Sequence, residues 1–375
     1  MSRSDSRGER IARLVRPAVQ SMQAYHVPPA TGMVKLDAME NPYTWPGSLR
    51  DAWLERLAEV EANRYPDPTA AAVKELLRRD GGVPDGAGLI LGNGSDELIQ
   101  LLGMALGGAD RMVLAPGPGF AMYRLIAGFT GMAFEEVPLA ADDFSLDAGV
   151  MLAAIARHQP AIIYLAYPNN PTGNAFDDAT MEAIIDAAPG VVVVDEAYEP
   201  FCGRTWMSAL ERHDHLMVMR TVSKMGLAGL RLGYMAAHPD WLSQLEKCRL
   251  PYNINVLTQA SAAFALEHAE QLREQTRAIC RHRQDLFAAL QRRERLTVWP
   301  SAANFITFRA PSGHAGAVHA SLREQGVLIK NLDGSHPLLA DCLRVTVGTP
   351  EENNRFLEAL DVALDHTSRP ATPAS

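Results

Sequence analysis

Two runs in this chain, "AIIYLA" at 161–166 and "VVVV" at 191–194, carry almost no polar side chain. A strand with one face in water alternates apolar and polar residues, so strands of this composition are covered on both faces. Five further segments read as strands: "GLILGNG", "RMVLAPG", "AFEEVPL", "LMVMRTVS" and "RLGYMAAH". Helical patterns stand between members of the series, namely "SDELIQLLGMAL", "FAMYRLIAGF" and "DDATMEAIIDAA". Strands alternating with helices predict an α/β fold with a mostly parallel sheet and helices on both faces.

From about residue 256 the character changes. One long helical stretch, "TQASAAFALEHAEQLREQTRAICRHRQDLFAALQRR", precedes the strands "LTVWP", "NFITFRA" and "CLRVTVG". The 375 residues suit two domains. The expected organisation is an N-terminal arm over 1–45, a large domain over 46–255, a smaller α+β domain over 256–365 and a disordered tail over 366–375. "GMVKLDAMENPY" reads as a short extended segment within that arm.

Composition removes several function classes. A net charge of −9 and no basic stripe alternating with aromatics argue against nucleic acid. No run approaches the ~18 apolar residues of a membrane span. Cys202, Cys248, Cys280 and Cys342 lie far apart without a C-x-x-C pair, which suits neither a metal site nor a disulfide framework. Reduced thiols and a cytoplasmic location are expected.

In open α/β sheets ligands bind beyond the carboxyl ends of the strands, so the polar residues directly after each strand are the candidates. Asp195 ends a buried strand, where an unpaired carboxylate is expensive. It serves either as a helix cap or as the partner of a pyridinium nitrogen, keeping that ring protonated as an electron sink. Tyr198, three residues on, is placed to donate to a phenolate oxygen of the same ring. In "GNGSDE" the glycines allow a tight turn that leaves N–H groups of Ser95, Asp96 and Glu97 at a helix start. That is a phosphate cradle or a plain cap. Glu97 stands where the third glycine of a dinucleotide fingerprint belongs, which argues against a nicotinamide dehydrogenase. Asn170 of "YPNNPTG" offers an amide to a ring oxygen, and Phe120 or Tyr123 an aromatic face, although each is also ordinary turn or core material. Lys224 follows Ser223 where an apolar strand gives way to two glycines and Arg231. A partly desolvated lysine there is suited to hold pyridoxal phosphate covalently, with Ser223 and Arg231 on its phosphate.

Taken together, "NNPTG", "DEAY" and "SKMGLAGLRLGY" resemble the fold-type I pyridoxal-phosphate aminotransferases. "AMENPY", "NRYPDP", "GNGSDE" and "CLRVTVGT" are most similar to the histidinol-phosphate branch of that family. The resemblance covers about residues 15–365 and implies a seven-stranded large domain, the cofactor pyridoxal 5'-phosphate and a homodimer. It makes Lys224 the Schiff-base lysine and proton shuttle, Asp195 the partner of the ring nitrogen, and Tyr198 and Asn170 the holders of the phenolate oxygen. Gly94, Ser95, Asp96, Ser223 and Arg231 hold the phosphate, joined by Tyr65 from a neighbouring subunit, and Phe120 stacks on the ring. Arg344 takes the donor's carboxylate, and Lys330 is a candidate for a substrate phosphate. The implied reaction passes the amino group of L-histidinol phosphate to a 2-oxo acid, 2-oxoglutarate, in histidine synthesis. The alternatives are an aromatic amino-acid aminotransferase, a threonine-phosphate decarboxylase or a non-catalytic binding protein of the same fold. Three positions depart from the family pattern. Arg231 comes seven residues after Lys224, where many relatives have one more, so the turn must close differently. Met39 replaces the usual asparagine, and Lys330 an arginine, leaving a point charge for a fork.

Overall fold

The computed structural model describes residues 6–24 and 29–366. Its strands are β1 (Val34–Leu36), β2 (Gly88–Asn93), β3 (Met112–Gly117), β4 (Ala133–Pro138), β5 (Ile162–Ala166) and β6 (Val191–Asp195). They continue with β7 (Leu216–Thr221), β8 (Leu232–Ala237), β9 (Thr297–Val298), β10 (Phe305–Arg309), β11 (Val327–Asn331) and β12 (Cys342–Thr346). The seven expected strands form one sheet in the order β2-β8-β7-β6-β5-β3-β4. Only β8 runs against the others, pairing antiparallel with both β2 and β7.

The apolar runs sit in the middle of this sheet because both of its faces are covered. Val191 and Val193 of β6 point to one face, where Leu98, Ile99, Leu102 and Ile126 pack from the helices Ser95–Leu106 and Ala121–Thr130. Val192 and Val194 point to the other, against Met181, Ile184 and Ile185 of the helix Asp178–Ala187. Each such fully buried aliphatic side chain contributes about 1.5–3 kcal/mol relative to exposure. The edge strand β4, by contrast, alternates between exposed and covered residues.

A second sheet has the order β1-β11-β12-β10-β9. Its core joins Leu36, Phe305, Phe308 and Val327 to Ile279, Leu286, Phe356 and Leu360 of the helices Ala269–Gln291 and Pro350–His366. The extended segment near the N-terminus supplies β1, paired in parallel with β11 (Val34↔Val327, Leu36↔Ile329). The long helical stretch is two helices, Val256–Glu267 and Ala269–Gln291, broken at His268. There Nδ1 of the imidazole lies 2.8 Å from the Phe264 carbonyl and competes with the backbone for it. The first of the two helices lies on the seven-stranded unit: Trp53 Nε1 donates to Ser261 Oγ (2.9 Å) and Thr258 Oγ1 to the Leu230 carbonyl (3.1 Å). The tail expected to be disordered falls, from residue 367, outside the described residues. Among the described residues no helix is long and apolar enough to cross a membrane.

Candidate active site

One cleft gathers side chains from the ends of β3, β5, β6 and β7. It is lined by Ser95, Asp96, Phe120, Asn170, Asp195, Tyr198, Ser223, Lys224 and Arg231, together with Met39, Tyr123 and Thr221. Its space, open solvent at the mouth included, is about 580 Å³.

At one wall the helix Ser95–Leu106 begins. Its N-cap, Gly94, adopts φ +80° and has no side chain with which to cap the first-turn N–H groups. A Cβ at Gly94 would stand 2.6 Å from Arg231 Nη2, so only glycine lets the guanidinium close over this helix start. Glu97 turns away from the cleft, accepting from the Asn93 N–H (2.7 Å) and from Asn253 Nδ2 (2.9 Å). An uncapped helix N-terminus beside an arginine is an anion site. The short spacing between Lys224 and Arg231 is accommodated by Arg231 itself. It ends the 3-10 turn Ala228–Leu230 in the left-handed conformation (φ +48°), which returns its side chain to within 3.6 Å of Asp96. Ser223 is buried beside Thr221, whose Oγ1 lies 2.9 Å from Ser223 Oγ.

At the opposite end lies Asp195. Its Oδ2 accepts from the Tyr123 hydroxyl (2.7 Å) and its Oδ1 from the Ala197 N–H (3.1 Å). Burial pushes this carboxyl up to about 6, against the pull of those two hydrogen bonds. Its neighbour Glu196, equally buried, is matched by Arg220, whose Nε donates over 2.8 Å. No basic side chain forms an ion pair with Asp195 among the described residues. A buried carboxylate without a cation is costly unless a cation is brought to it.

Between these ends stands Lys224, half-buried, with Nζ 3.2 Å from the Ala38 carbonyl and over the Tyr198 ring at 5.8 Å. Burial, with Arg344 and Arg231 nearby, lowers its ammonium to about 8, so the neutral amine is accessible close to physiological pH. Asn170 links two predicted partners: Nδ2 donates to the Tyr198 hydroxyl (3.1 Å), and Oδ1 accepts from Arg344 Nη1 (2.5 Å). Arg344 also donates to the Asp37 carbonyl (3.1 Å) and pairs in register with Lys330 across β11 and β12. Both line a groove adjoining the cleft. Met39, at φ +52°, shares that wall and is held through its backbone by Thr346 and Asn304.

Tyr65 lies outside this chain's own cleft, 81% exposed and stacked on Tyr252 at 4.4 Å. Several contributors escaped the sequence reading. Tyr123 was a stacking candidate, yet it reaches Asp195 with its hydroxyl. Thr221 carried the same post-strand signal as Ser223. The Ala38 carbonyl has no side-chain signal at all. Glu136 and His336, 2.9 Å apart at the far end of the groove, are distant in sequence and nothing local links them.

Known proteins resemble this chain over almost its whole length. The family model for aminotransferase class I and II matches residues 31–360. The chain is 54% identical to histidinol-phosphate aminotransferase 2 of Nitrosococcus oceani, over 94% of this chain and 98% of that protein. It is 55% identical to histidinol-phosphate aminotransferase 1 of Ralstonia nicotianae, over 95% and 96%. The crystal structure of histidinol-phosphate aminotransferase from Sinorhizobium meliloti in complex with pyridoxal-5'-phosphate superposes with a TM-score of 0.84 at 25% identity, covering 94% of this chain and 98% of that one. The chain therefore belongs to the class I and II aminotransferases.

Proposed function

We propose that this chain is the pyridoxal-phosphate enzyme that passes the amino group of L-histidinol phosphate to 2-oxoglutarate, reversibly, giving imidazole acetol phosphate and L-glutamate. The observation that carries the reading is the meeting, in one cleft, of the Lys224 amine with the buried Asp195 carboxylate, which has no ion-pair partner among the described residues. The substrate follows from relatives of that name at 54% and 55% identity over nearly the whole chain.

The residues fit the cofactor. The uncapped start of the helix at Gly94, Ser95 and Asp96, with Ser223 and Arg231, suits its phosphate. Asp195 suits its ring nitrogen, Tyr198 and Asn170 its phenolate oxygen, and Phe120 its face. Bound there, pyridoxal phosphate supplies an aldehyde carbon and a ring that accepts electrons. The chain's own groups do the rest. Lys224 Nζ would hold the aldehyde carbon, and it is the amine placed to take a proton from the donor's α-carbon and to return it. The Asp195 carboxylate keeps a proton on the ring nitrogen. Arg344, steadied by Asn170 Oδ1, presents a guanidinium to the carboxylate of the acid substrates. Lys330, one strand away, adds a point charge for the donor's phosphate.

The enzyme acts in the cytoplasm, in histidine synthesis, as a homodimer in which Tyr65 of the partner subunit reaches the cofactor phosphate. Support for the dimer is the apolar surface that one chain leaves in water at Tyr65, Leu250 (75% exposed) and Tyr252 (41%).

A panel of amino donors tests the substrate. L-Histidinol phosphate is expected to exceed free L-histidinol and L-phenylalanine by about 10²-fold or more in kcat/KM, because a site built for a charged group rejects analogues that leave it unpaired. Equal use of L-phenylalanine would replace this reading with the aromatic one.

The lysine also makes a prediction about the cofactor-free protein. Its folded value of about 8 lies below the ordinary 10.5, so between these two the unfolded chain binds more protons. Stability supported by the neutral amine is present above 10.5 and is lost as pH falls through 8. Cofactor-free wild type should gain stability over cofactor-free Lys224→Met as pH rises across that window. Parallel urea midpoints for the two proteins would contradict the assigned environment.

A further inference from the structure

A buried carboxylate without a cation, such as Asp195, stays ionised only where a donor holds it so. The side chain that reaches it is Tyr123, one helical turn after Phe120 on the helix Ala121–Thr130. Its hydroxyl donates to Asp195 Oδ2 at 2.7 Å. The ring is 2% exposed and packed against two other rings. One face stacks on Tyr164 of β5 at 4.4 Å with 3° between planes, and the Phe120 ring meets it edge-on at 5.5 Å. A hydroxyl held this firmly has one acceptor to serve.

We propose that Tyr123 is a positioning residue that holds the Asp195 carboxylate ionised and aimed into the cleft, so that cofactor capture at mildly acidic pH depends on it. The inference rests on the reading that the cleft takes pyridoxal phosphate. Its physical basis is that a hydrogen bond donated to a carboxylate favours the charged form. It opposes burial and the negative charges of Asp96 and Glu196, all of which push the proton back on. Tyr164 and Tyr198 face Asp195 as well, but both stay neutral, their hydroxyls driven far up by burial. The backbone N–H of Ala197 is the second donor, and it cannot be removed by substitution. Among the side chains, Tyr123 supplies the hydrogen bond that resists protonation.

The test follows cofactor binding rather than turnover. Holoenzyme of wild type, Tyr123→Phe, Tyr164→Phe, Asp195→Asn and the Tyr123→Phe/Asp195→Asn double variant is equilibrated from about pH 5 to about pH 8. The dissociation constant for pyridoxal phosphate is then measured by fluorescence. Removing a hydrogen bond to a charged group moves its titration by about one pH unit. Tyr123→Phe should therefore match wild type near pH 8 and bind about tenfold more weakly near pH 5. Tyr164→Phe removes a hydroxyl from the stacked ring without touching Asp195, and should show no such divergence. In the Asp195→Asn background, Tyr123→Phe should add less than about twofold at every pH, because the effect runs through the carboxylate.

A weakening that is the same at all pH values, or that persists in the Asp195→Asn background, would make Tyr123 a packing residue and overturn the proposal. So would the same divergence in Tyr164→Phe. Failure of wild type to bind the cofactor at any pH would remove the reading beneath the proposal, and the proposal with it.

Discussion

Lys224→Ala is expected to reduce transamination by about 10⁴-fold or more while leaving the fold intact. The loss has two sources acting at one atom. Proton transfer by a positioned side chain accounts for about 10²–10⁴ in rate, and Nζ is the group placed to move the donor's α-proton. In the proposed role the same atom would also hold the cofactor, so the variant would lose pre-alignment of the reacting carbon as well. The fold should tolerate the change. The amine makes one hydrogen bond, to the Ala38 carbonyl, and its burial disfavours its own charge. The variant should melt close to wild type, retain some cofactor through the phosphate end, and lack the long-wavelength absorbance of lysine-linked cofactor. Turnover within tenfold of wild type would remove Lys224 from the chemistry.

A second large effect is expected at the other end of the cleft. Asp195→Asn keeps the shape and removes the charge, and activity should fall by about 10²–10⁴-fold. Breaking a buried charge pair by removing one partner costs about 3–5 kcal/mol, which sets that range. The amide can still accept a hydrogen bond, and the Tyr123 hydroxyl can turn to receive one, so the local structure survives. Stability should separate from activity here. Asp195 carries a folded value of about 6, above the ordinary 3.8, so the native state holds its proton more tightly and ionisation costs stability as pH rises through 6. In the cofactor-free protein at pH 8 the Asn variant should accordingly be at least as stable as wild type. A variant that is both strongly destabilised without cofactor and fully active with it would contradict both halves of this account.

Why so much of this site could be read from the chain follows from where its residues stand. Asp195 and Lys224 are conspicuous because each closes or follows an unbroken apolar run, and such runs have only one stable setting, a sheet covered on both faces. The seven strands of the first sheet were legible for the same reason. What escaped reading depends on contacts that local pattern does not encode. Nothing in "GMVKLDAMENPY" tells the three residues of β1 to pair with Val327–Ile329. Helical propensity runs unbroken through His268, and the break comes from an imidazole that takes a backbone carbonyl. Arg231 comes one residue early and its turn must close differently, but a sequence does not display φ. The left-handed backbone at that residue turns its guanidinium toward Asp96. Tyr123 is the clearest case: a tyrosine on an amphipathic helix is usually core, and only the register between that helix and β6 turns its hydroxyl toward a carboxylate.

The pairing of β1 with β11 also constrains how this protein can be born. Val34 finds its partner only at Val327, so during synthesis the second sheet stays open at that edge until β11 has emerged. Contacts of such long range are slow to form and leave an unpaired edge exposed meanwhile. The nascent chain must carry its earliest strand as a loose end, and the groove bearing Lys330 is finished only when that end is zipped in.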